Sequence, residues 1–212
     1  MKEIVAYARD RGIRVMPEFD TPGHTKAWGI GYPEIMTECF NPLPGSVEHG
    51  VVTGLGVINP ALNQTYELIS KLWAELAEVF PDKYMHLGGD EVDQECWNSN
   101  EGVRAFMAAH KLSNADALQK YHGKRMIELT KAHGRQAVVW QEMFDSNALE
   151  LDSPDTVVHV WKGGWKEELQ RVTAKGFRAL VSTSWYLNLN EYGNKWKVCE
   201  LSFGERYTAS RL

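Results

Sequence analysis

The residues best able to do chemistry stand together in Tyr84–Val92, Y-M-H-L-G-G-D-E-V. A short apolar run ends in Gly88-Gly89, and Asp90 and Glu91 follow at once. If Tyr84–Leu87 is a strand, the acidic pair sits at a strand end, where βα proteins collect their active sites. Neighbours on a regular strand point to opposite faces. Glycines reach backbone angles closed to other residues and relax that rule, so both carboxylates can face one cleft. Two close carboxylates resist ionising together, which pushes one pKa up, and a carboxylic acid held protonated suits a general acid. A solvated acidic loop after a strand would carry the same residues.

The elements around this stretch read as alternating helices and strands. Lys2–Arg11 has the pattern of a helix stopped by Gly12, with the strand I-R-V-M-P-E-F after it and the turn Asp20-Thr21-Pro22-Gly23-His24 beyond. Ala27–Val57 is a glycine- and proline-rich excursion without a period, and loops of that length are usually functional or disordered. Asn59-Pro60 resembles a cap and first turn, and Ile69, Leu72, Trp73, Leu76 and Phe80 form a helical apolar stripe. Ser113-x-x-Asp116 resembles a capping box for a helix running to His133. Ala137–Trp140, Val157–Trp161 and Ala179–Ser182 complete five expected strands, with a helix over Trp165–Lys175. Three helices close on a basic residue and glycine before a strand: Arg11-Gly12, His133-Gly134 and Lys175-Gly176. Strands that are apolar throughout belong to parallel sheets buried on both faces. The fold class is therefore α/β, and a barrel or a doubly wound sheet would fit. Polar and aromatic residues at successive strand ends (Asp20, Asp90, Trp140, Trp161, Trp185-Tyr186) favour the barrel.

Composition sets outer limits. A chain of 212 residues with 43% hydrophobic and 24% charged residues can pack one sizeable core. Its net charge of −5 argues against nucleic acid or an anionic membrane as partner. No stretch approaches the roughly 20 apolar residues of a membrane span, and M-K-E-I-V-A-Y-A-R-D is not a signal peptide. Cys39, Cys96 and Cys199 fit no metal spacing, and an odd count leaves at most one disulfide. Eight tryptophans stand out, several of them where strands end. The G-G-D-E turn of nucleotide cyclases joins two strands, and Val92-Asp93-Gln94-Glu95 is too polar to open one, so that reading is discounted.

With the strand ends laid out, the chain resembles the family 20 glycoside hydrolases, the β-N-acetylhexosaminidases, and most of all their animal lysosomal type. The matching stretches are R-G-I-R-V-M-P-E-F-D-T-P-G-H (Arg11–His24), I-N-P-A-L-N (Ile58–Asn63), H-L-G-G-D-E-V (His86–Val92), V-W-Q-E (Val139–Glu142), V-W-K (Val160–Lys162) and W-Y-L-N-L (Trp185–Leu189). The resemblance runs to about Phe203. It implies a (β/α)8 TIM-barrel type of fold and removal of terminal, non-reducing N-acetylhexosamines by substrate-assisted, retaining catalysis. In that scheme the acetamido oxygen of the substrate attacks the anomeric carbon. Glu91 then protonates the leaving oxygen and later activates water, while Asp90 orients the acetamido N–H. Tyr186 donates to the acetamido oxygen, Trp140 and Trp161 wall the pocket, and Asp20 and His24 lean on Glu91 from behind. The resemblance implies no cofactor and no metal, a glycan or glycolipid partner with terminal N-acetylhexosamine, a dimer, and the lysosome or secretory pathway.

Individually, each residue has a plainer explanation. Asp20 could cap a turn, His24 could be a satisfied core or surface histidine, and Trp140 and Trp161 could be core. Tyr186 alone says little. The resemblance further implies pairing of Cys39 with Cys96, leaving Cys199 as the odd thiol. Asn63-Gln64-Thr65 is a glycosylation sequon that agrees with a secretory protein. After W-Y-L, Asp-Leu accompanies neutral sugars in the animal enzymes and Asn-Arg sulfated or sialylated ones; Asn188-Leu189 is half of each, and a neutral preference is expected. The five strands correspond to about strands 3 to 7 of the barrel, so residues 1–212 are expected to form a partial catalytic domain. Expressed alone, such a chain is expected to be an open, poorly soluble and inactive sheet, retaining at most weak N-acetylhexosamine binding.

Overall fold

Four short strands in parallel hold the Gly88-Gly89 stretch at one end of a sheet. The computed structural model describes residues 1–40, 52–147 and 155–183. The order is α1 (Lys2–Arg9), α2 (Lys26–Gly31), a 3-10 turn (Pro33–Ile35), β1 (Met36–Phe40), β2 (Val52–Ile58), α3 (Asn63–Val79), β3 (Tyr84–His86), α4 (Gln94–Ser99), α5 (Glu101–Ala109), α6 (Ala115–Ala132), β4 (Gln136–Trp140), α7 (Gln141–Asn147), β5 (Val157–Val160), α8 (Trp165–Ala174) and β6 (Arg178–Val181).

The sheet runs β3-β4-β5-β6, all parallel, with consecutive strands adjacent and a helix between each pair. The α/β reading with a parallel sheet is therefore borne out. Ala137, Val138 and Val139 of β4 and Val157, Val158 and Val160 of β5 are buried, as continuous apolar runs covered on two faces should be. β6 departs from that expectation: it is last in the order, and Leu180 is 43% exposed. At the N-terminal ends of the strands lies an open cleft of about 420 Å³ lined by Arg14, Tyr84, Val138, Arg178 and Leu180, and it contains none of the candidate catalytic residues. Gly12, Gly134 and Gly176 all take positive φ, so the three helix-closing glycines do stop their helices.

Five expectations need correction. The segment Ile13–Phe19 is not a strand among the described residues; it touches the sheet through a single bridge, Glu18 to His86. Phe19 N donates to His86 O and His86 N donates to Pro17 O. β3 is only three residues long, and Pro17 has no N–H to give, so no longer ladder can form. The excursion after Ala27 is not featureless, because β1 and β2 pair as an antiparallel hairpin. Alternation is broken by register shifts and glycines, which hid its period. α3 starts at Asn63 rather than at Asn59-Pro60, and the cap of α6 is Asn114, whose side chain accepts from Ala117 N, not Ser113. The helices α4 and α5 follow the acidic pair where no helix was expected, capped by Asp93 and Asn100.

The main core packs α3 and α6 on the sheet. The stripe from α3 is buried there, with Trp73 fully enclosed and its Nε1 donating to Thr130 Oγ1 of α6 at 2.9 Å. Cys39 of β1 and Cys96 of α4 form a disulfide, which ties the hairpin to the helix that follows the acidic pair. That pairing is the one the family resemblance implied.

Candidate active site

Two turns build the cluster. One, Asp20–His24, follows the bridged segment; the other, Gly88–Glu91, follows β3. Thr21 N donates to Leu87 O and Phe19 N to His86 O, so the turns run side by side. Gly88 and Gly89 take φ of 69° and 104°, and Glu91 itself takes 47°. Positive φ is costly for a glutamate, and its occurrence here is a specific distortion held by the surrounding structure. The glycines leave no room for anything larger: a Cβ on Gly88 would fall 1.7 Å from Asp20 Oδ1.

The outcome is that Asp90 and Glu91 do face one point. His24 Nε2 lies 3.5 Å from Asp90 Oδ2 and 3.4 Å from Glu91 Oε2. Glu91 is exposed, whereas the Asp90 side chain is only 14% exposed. Asp20 works on the other side, accepting from Gly89 N at 2.8 Å. Its carboxyl is pushed from 3.8 up to about 8, first by burial and then by the hydrogen-bonded Asp90 carboxylate beside it. The raised carboxyl was expected within the Asp90–Glu91 pair; the one that burial and a neighbouring carboxylate push up is Asp20, outside that pair. Asp90 Oδ1 is buried with no hydrogen-bond partner from another described side chain or backbone N–H. Ligand-type atoms of Asp20, His24 and Asp90 lie within 4.8 Å of one another. His24 against Asp90 and the Asp20–Gly89 hydrogen bond bring these groups together.

Trp140 and Trp161 are half-buried rather than core, with ring centroids 6.1 Å apart in an edge-to-face arrangement. Trp140 N donates to Gly88 O, which ties β4 to the glycine turn. Trp161 is oriented by Glu142, whose two carboxylate oxygens accept from its Nε1 at 3.2 and 3.0 Å. Lys162 Nζ balances that carboxylate at 2.7 Å. Gln141 Oε1 accepts from the backbone N–H of both Trp161 and Lys162. Tyr186, Asn188, Leu189 and Trp185 lie outside the described residues.

Several contributors escaped the sequence reading. His86 and His159 stand behind Trp140, with ring centroids 4.5 and 4.2 Å from its own. Gly88 N donates to His86 Nδ1, which leaves the His86 proton on Nε2 to meet His159 Nδ1 at 3.1 Å. Burial lowers both imidazoles, to about 3 and about 4, so they remain neutral through mildly acidic pH. Glu18 lies 3.7 Å from His86 Nδ1 and is raised by burial and by Asp90. The signal for His86 and Glu18 was their place inside the two quoted stretches; His159, inside a valine-rich strand, gave none.

The family profile described as "Glycosyl hydrolase family 20, catalytic domain" matches residues 1–208. The chain belongs to glycosyl hydrolase family 20. It is 44% identical over 201 residues to the β-hexosaminidase subunit alpha of Mus musculus, covering 93% of this chain and 37% of that protein. The β-hexosaminidase subunit beta of Homo sapiens is 41% identical over 210 residues, 96% of this chain and 36% of that protein. Among family 20 solved structures, the β-N-acetylhexosaminidase of Bacteroides fragilis superposes with a TM-score of 0.72 at 28% identity. That superposition covers 92% of this chain and 38% of the other. The exo-β-N-acetylglucosaminidase of Vibrio harveyi, solved with N-acetylglucosamine, gives a TM-score of 0.71 at 29% identity over 85% and 27% of the two chains. The chain thus spans a little over a third of the curated family 20 relatives it matches.

Proposed function

We propose that this chain forms the catalytic middle of an exo-acting β-N-acetylhexosaminidase, within a (β/α)8 barrel to which it contributes about strands 3 to 7. Its substrates are terminal, non-reducing N-acetyl-β-hexosamines, GlcNAc or GalNAc, on glycans and glycolipids. The observation that carries the reading is the pair Asp90 and Glu91 meeting one imidazole, His24, with one carboxylate buried and the other open to solvent. A two-carboxylate hydrolase would use the second group as nucleophile or base. Asp90 is ill placed for water activation, because its side chain is enclosed. It is well placed to accept an acetamido N–H on its unpartnered Oδ1.

The steps then follow. The acetamido N–H donates to Asp90, which turns the acetamido oxygen toward the anomeric carbon and offsets the positive charge that develops. Glu91 donates its proton to the glycosidic oxygen as that bond breaks and the C–O bond to the acetamide forms. Water then attacks the cyclic oxazolinium from the same face as the departed group, giving up a proton to Glu91, and configuration is retained. Trp140 and Trp161 exclude water from the acetamide, and Tyr186 donates to its oxygen. Asp20 and His24 hold Asp90 and Glu91 rather than touching the sugar. A dimer and a lysosomal or secretory location form part of the same proposal; the Cys39–Cys96 disulfide, which needs an oxidising compartment, supports the latter.

A chromogenic N-acetylglucosaminide tests the reading in the full-length protein. Glu91→Gln should nearly abolish hydrolysis when the leaving group is poor and cost far less when it is good. Hydrolysis of both classes at the unmodified rate would remove Glu91 from the role of acid. Absence of turnover from the unmodified protein, with weak N-acetylhexosamine binding retained, would favour a sugar-binding product instead.

A further inference from the structure

Helix α6 turns a polar strip toward the two turns. Along its buried face Gln119, His122 and Gly123 stand at i, i+3 and i+4, the spacing that puts side chains on one side of a helix. Gln119 is 5% exposed and His122 is 1% exposed, far from where amides and imidazoles usually lie. A buried amide is costly unless its hydrogen bonds are made, and these are. Gln119 Nε2 donates to Gly89 O at 3.1 Å, and its Oε1 accepts from Gln94 Nε2 at 3.0 Å. His122 Nε2 meets Thr21 Oγ1 at 3.2 Å, and its Nδ1 meets Tyr66 OH at 3.2 Å. Gly123 leaves the space that Met143 fills under the glycine turn; a Cβ there would lie 2.0 Å from Met143 Cε.

We propose that Gln119 is a positioning residue for the Asp90–Glu91 pair, acting by donating its amide N–H to the Gly89 carbonyl. The proposal rests on the acid–base reading of that pair. Gly89 O and Asp90 N belong to one peptide plane, so fixing the carbonyl fixes the plane from which Asp90 and then Glu91 project. Gly89 and Glu91 both take positive φ, and glycine alone would leave the plane free to turn. The plane before it is fixed separately, because Gly89 N donates to Asp20 Oδ1. His122 holds the neighbouring turn through Thr21, one residue from Asp20. One helix face therefore grips both turns, and each grip is a single hydrogen bond to a part of the chain that carries candidate catalytic groups. Gln119 and His122 are both buried, so their effect is on placement and not on contact with substrate.

Two substitutions separate the donor from the rest of the side chain. Gln119→Met keeps length and loses both polar atoms. Gln119→Glu keeps an acceptor for Gln94 and, when ionised, loses the donor to Gly89. Backbone hydrogen exchange is read by mass spectrometry over Leu87–Glu91, α6 and β4 in the full-length protein, beside a melting temperature. If the donor positions the turn, exchange over Leu87–Glu91 rises about tenfold in both variants, with α6 and β4 unchanged. Hydrolysis of poor leaving groups should fall at least about tenfold further than that of good ones, because the acid is misplaced. Gln94→Ala removes the support behind Gln119 together with a hydrogen bond to Asp116 at 2.7 Å, leaves the Gln119 donor in place, and should give a smaller change in the same direction even if the Gln119 variants fold badly. Wild-type exchange over Leu87–Glu91 in Gln119→Met would overturn the proposal. A wild-type protein that neither hydrolyses the chromogenic substrate nor binds a thiazoline mimic of the cyclic intermediate would sink the hexosaminidase reading. The exchange result would still decide the clamp.

Discussion

Replacing Asp20 with asparagine should stabilise the protein at neutral pH while removing a carboxyl from the active-site cluster. The Asp20 carboxyl moves from 3.8 in the unfolded reference to about 8 in the fold, through burial and the adjoining Asp90 carboxylate. Between those values the folded state binds a proton that the unfolded chain has lost. Stability is therefore fully present below the lower value and drains away as pH rises toward the higher one, by about 1.4 kcal/mol per pH unit. From about pH 4 to pH 7 the ceiling is roughly 4 kcal/mol. Asp20 is part-buried and the His24 side of the cluster is open to water. Solvent screening halves the expected effect to about 2 kcal/mol. Asparagine keeps Oδ1 for Gly89 N and presents an N–H to Asp90, so neither hydrogen bond is lost and no proton is needed. Thermal melts of both forms of the full-length protein should coincide near pH 4.5 and diverge as pH rises. At about 2–4 °C per kcal/mol, Asp20→Asn should melt about 4–8 °C higher at pH 7 and show reduced turnover. Parallel melting curves across this range, or a less stable asparagine variant at pH 7, would refute the linkage between Asp20 and Asp90.

Gly88→Ala should destabilise the fold by about 2–4 kcal/mol and eliminate turnover, because the new Cβ would sit 2.6 Å from Asp20 Cα at φ +69°; the denaturation midpoint and residual hydrolysis check both. Removing the disulfide with paired serines at Cys39 and Cys96, which are 57 positions apart, should cost about 2–5 kcal/mol and loosen β1–β2 from α4. Proteolysis of the hairpin would report the loosening, and an unchanged digestion pattern would argue against it. Asn188-Leu189 offers no cation to an anionic sugar, so neutral substrates should be turned over faster than their sulfated twins, and the reverse order in paired assays would overturn that expectation.

Hydrogen bonds made by side chains distant in sequence decided what local pattern could not. The strand-ending motif Gly88-Gly89-Asp90-Glu91 was legible because glycine pairs and adjacent acids have few other uses beside an apolar run. The β3 to β6 sheet was legible too, since unbroken valine runs separated by glycine-capped helices specify a parallel arrangement. Residues Ile13–Phe19 had the composition of a strand and made one bridge, because pairing depends on the length of the partner and on the missing N–H of Pro17. The hairpin after Ala27 was not visible, since its apolar residues are interrupted by glycine and by register shifts.

The sequence by itself singled out the candidate residues: Asp90 and Glu91 by motif and strand end, and Asp20, His24, Trp140 and Trp161 by strand end and family resemblance together. Only the tertiary structure decided how they divide the work. His24 reaches both acids, Asp20 takes the raised pKa, and Glu142 of α7 turns the Trp161 indole. A pKa depends on burial and on the nearest charge, and neither has a signature in the order of residues along the chain. Gln119 shows the same limit most clearly. In the sequence it is one glutamine on an amphipathic helix; in the fold its amide meets the Gly89 carbonyl 30 positions away, a contact set by the packing of α6 against the sheet.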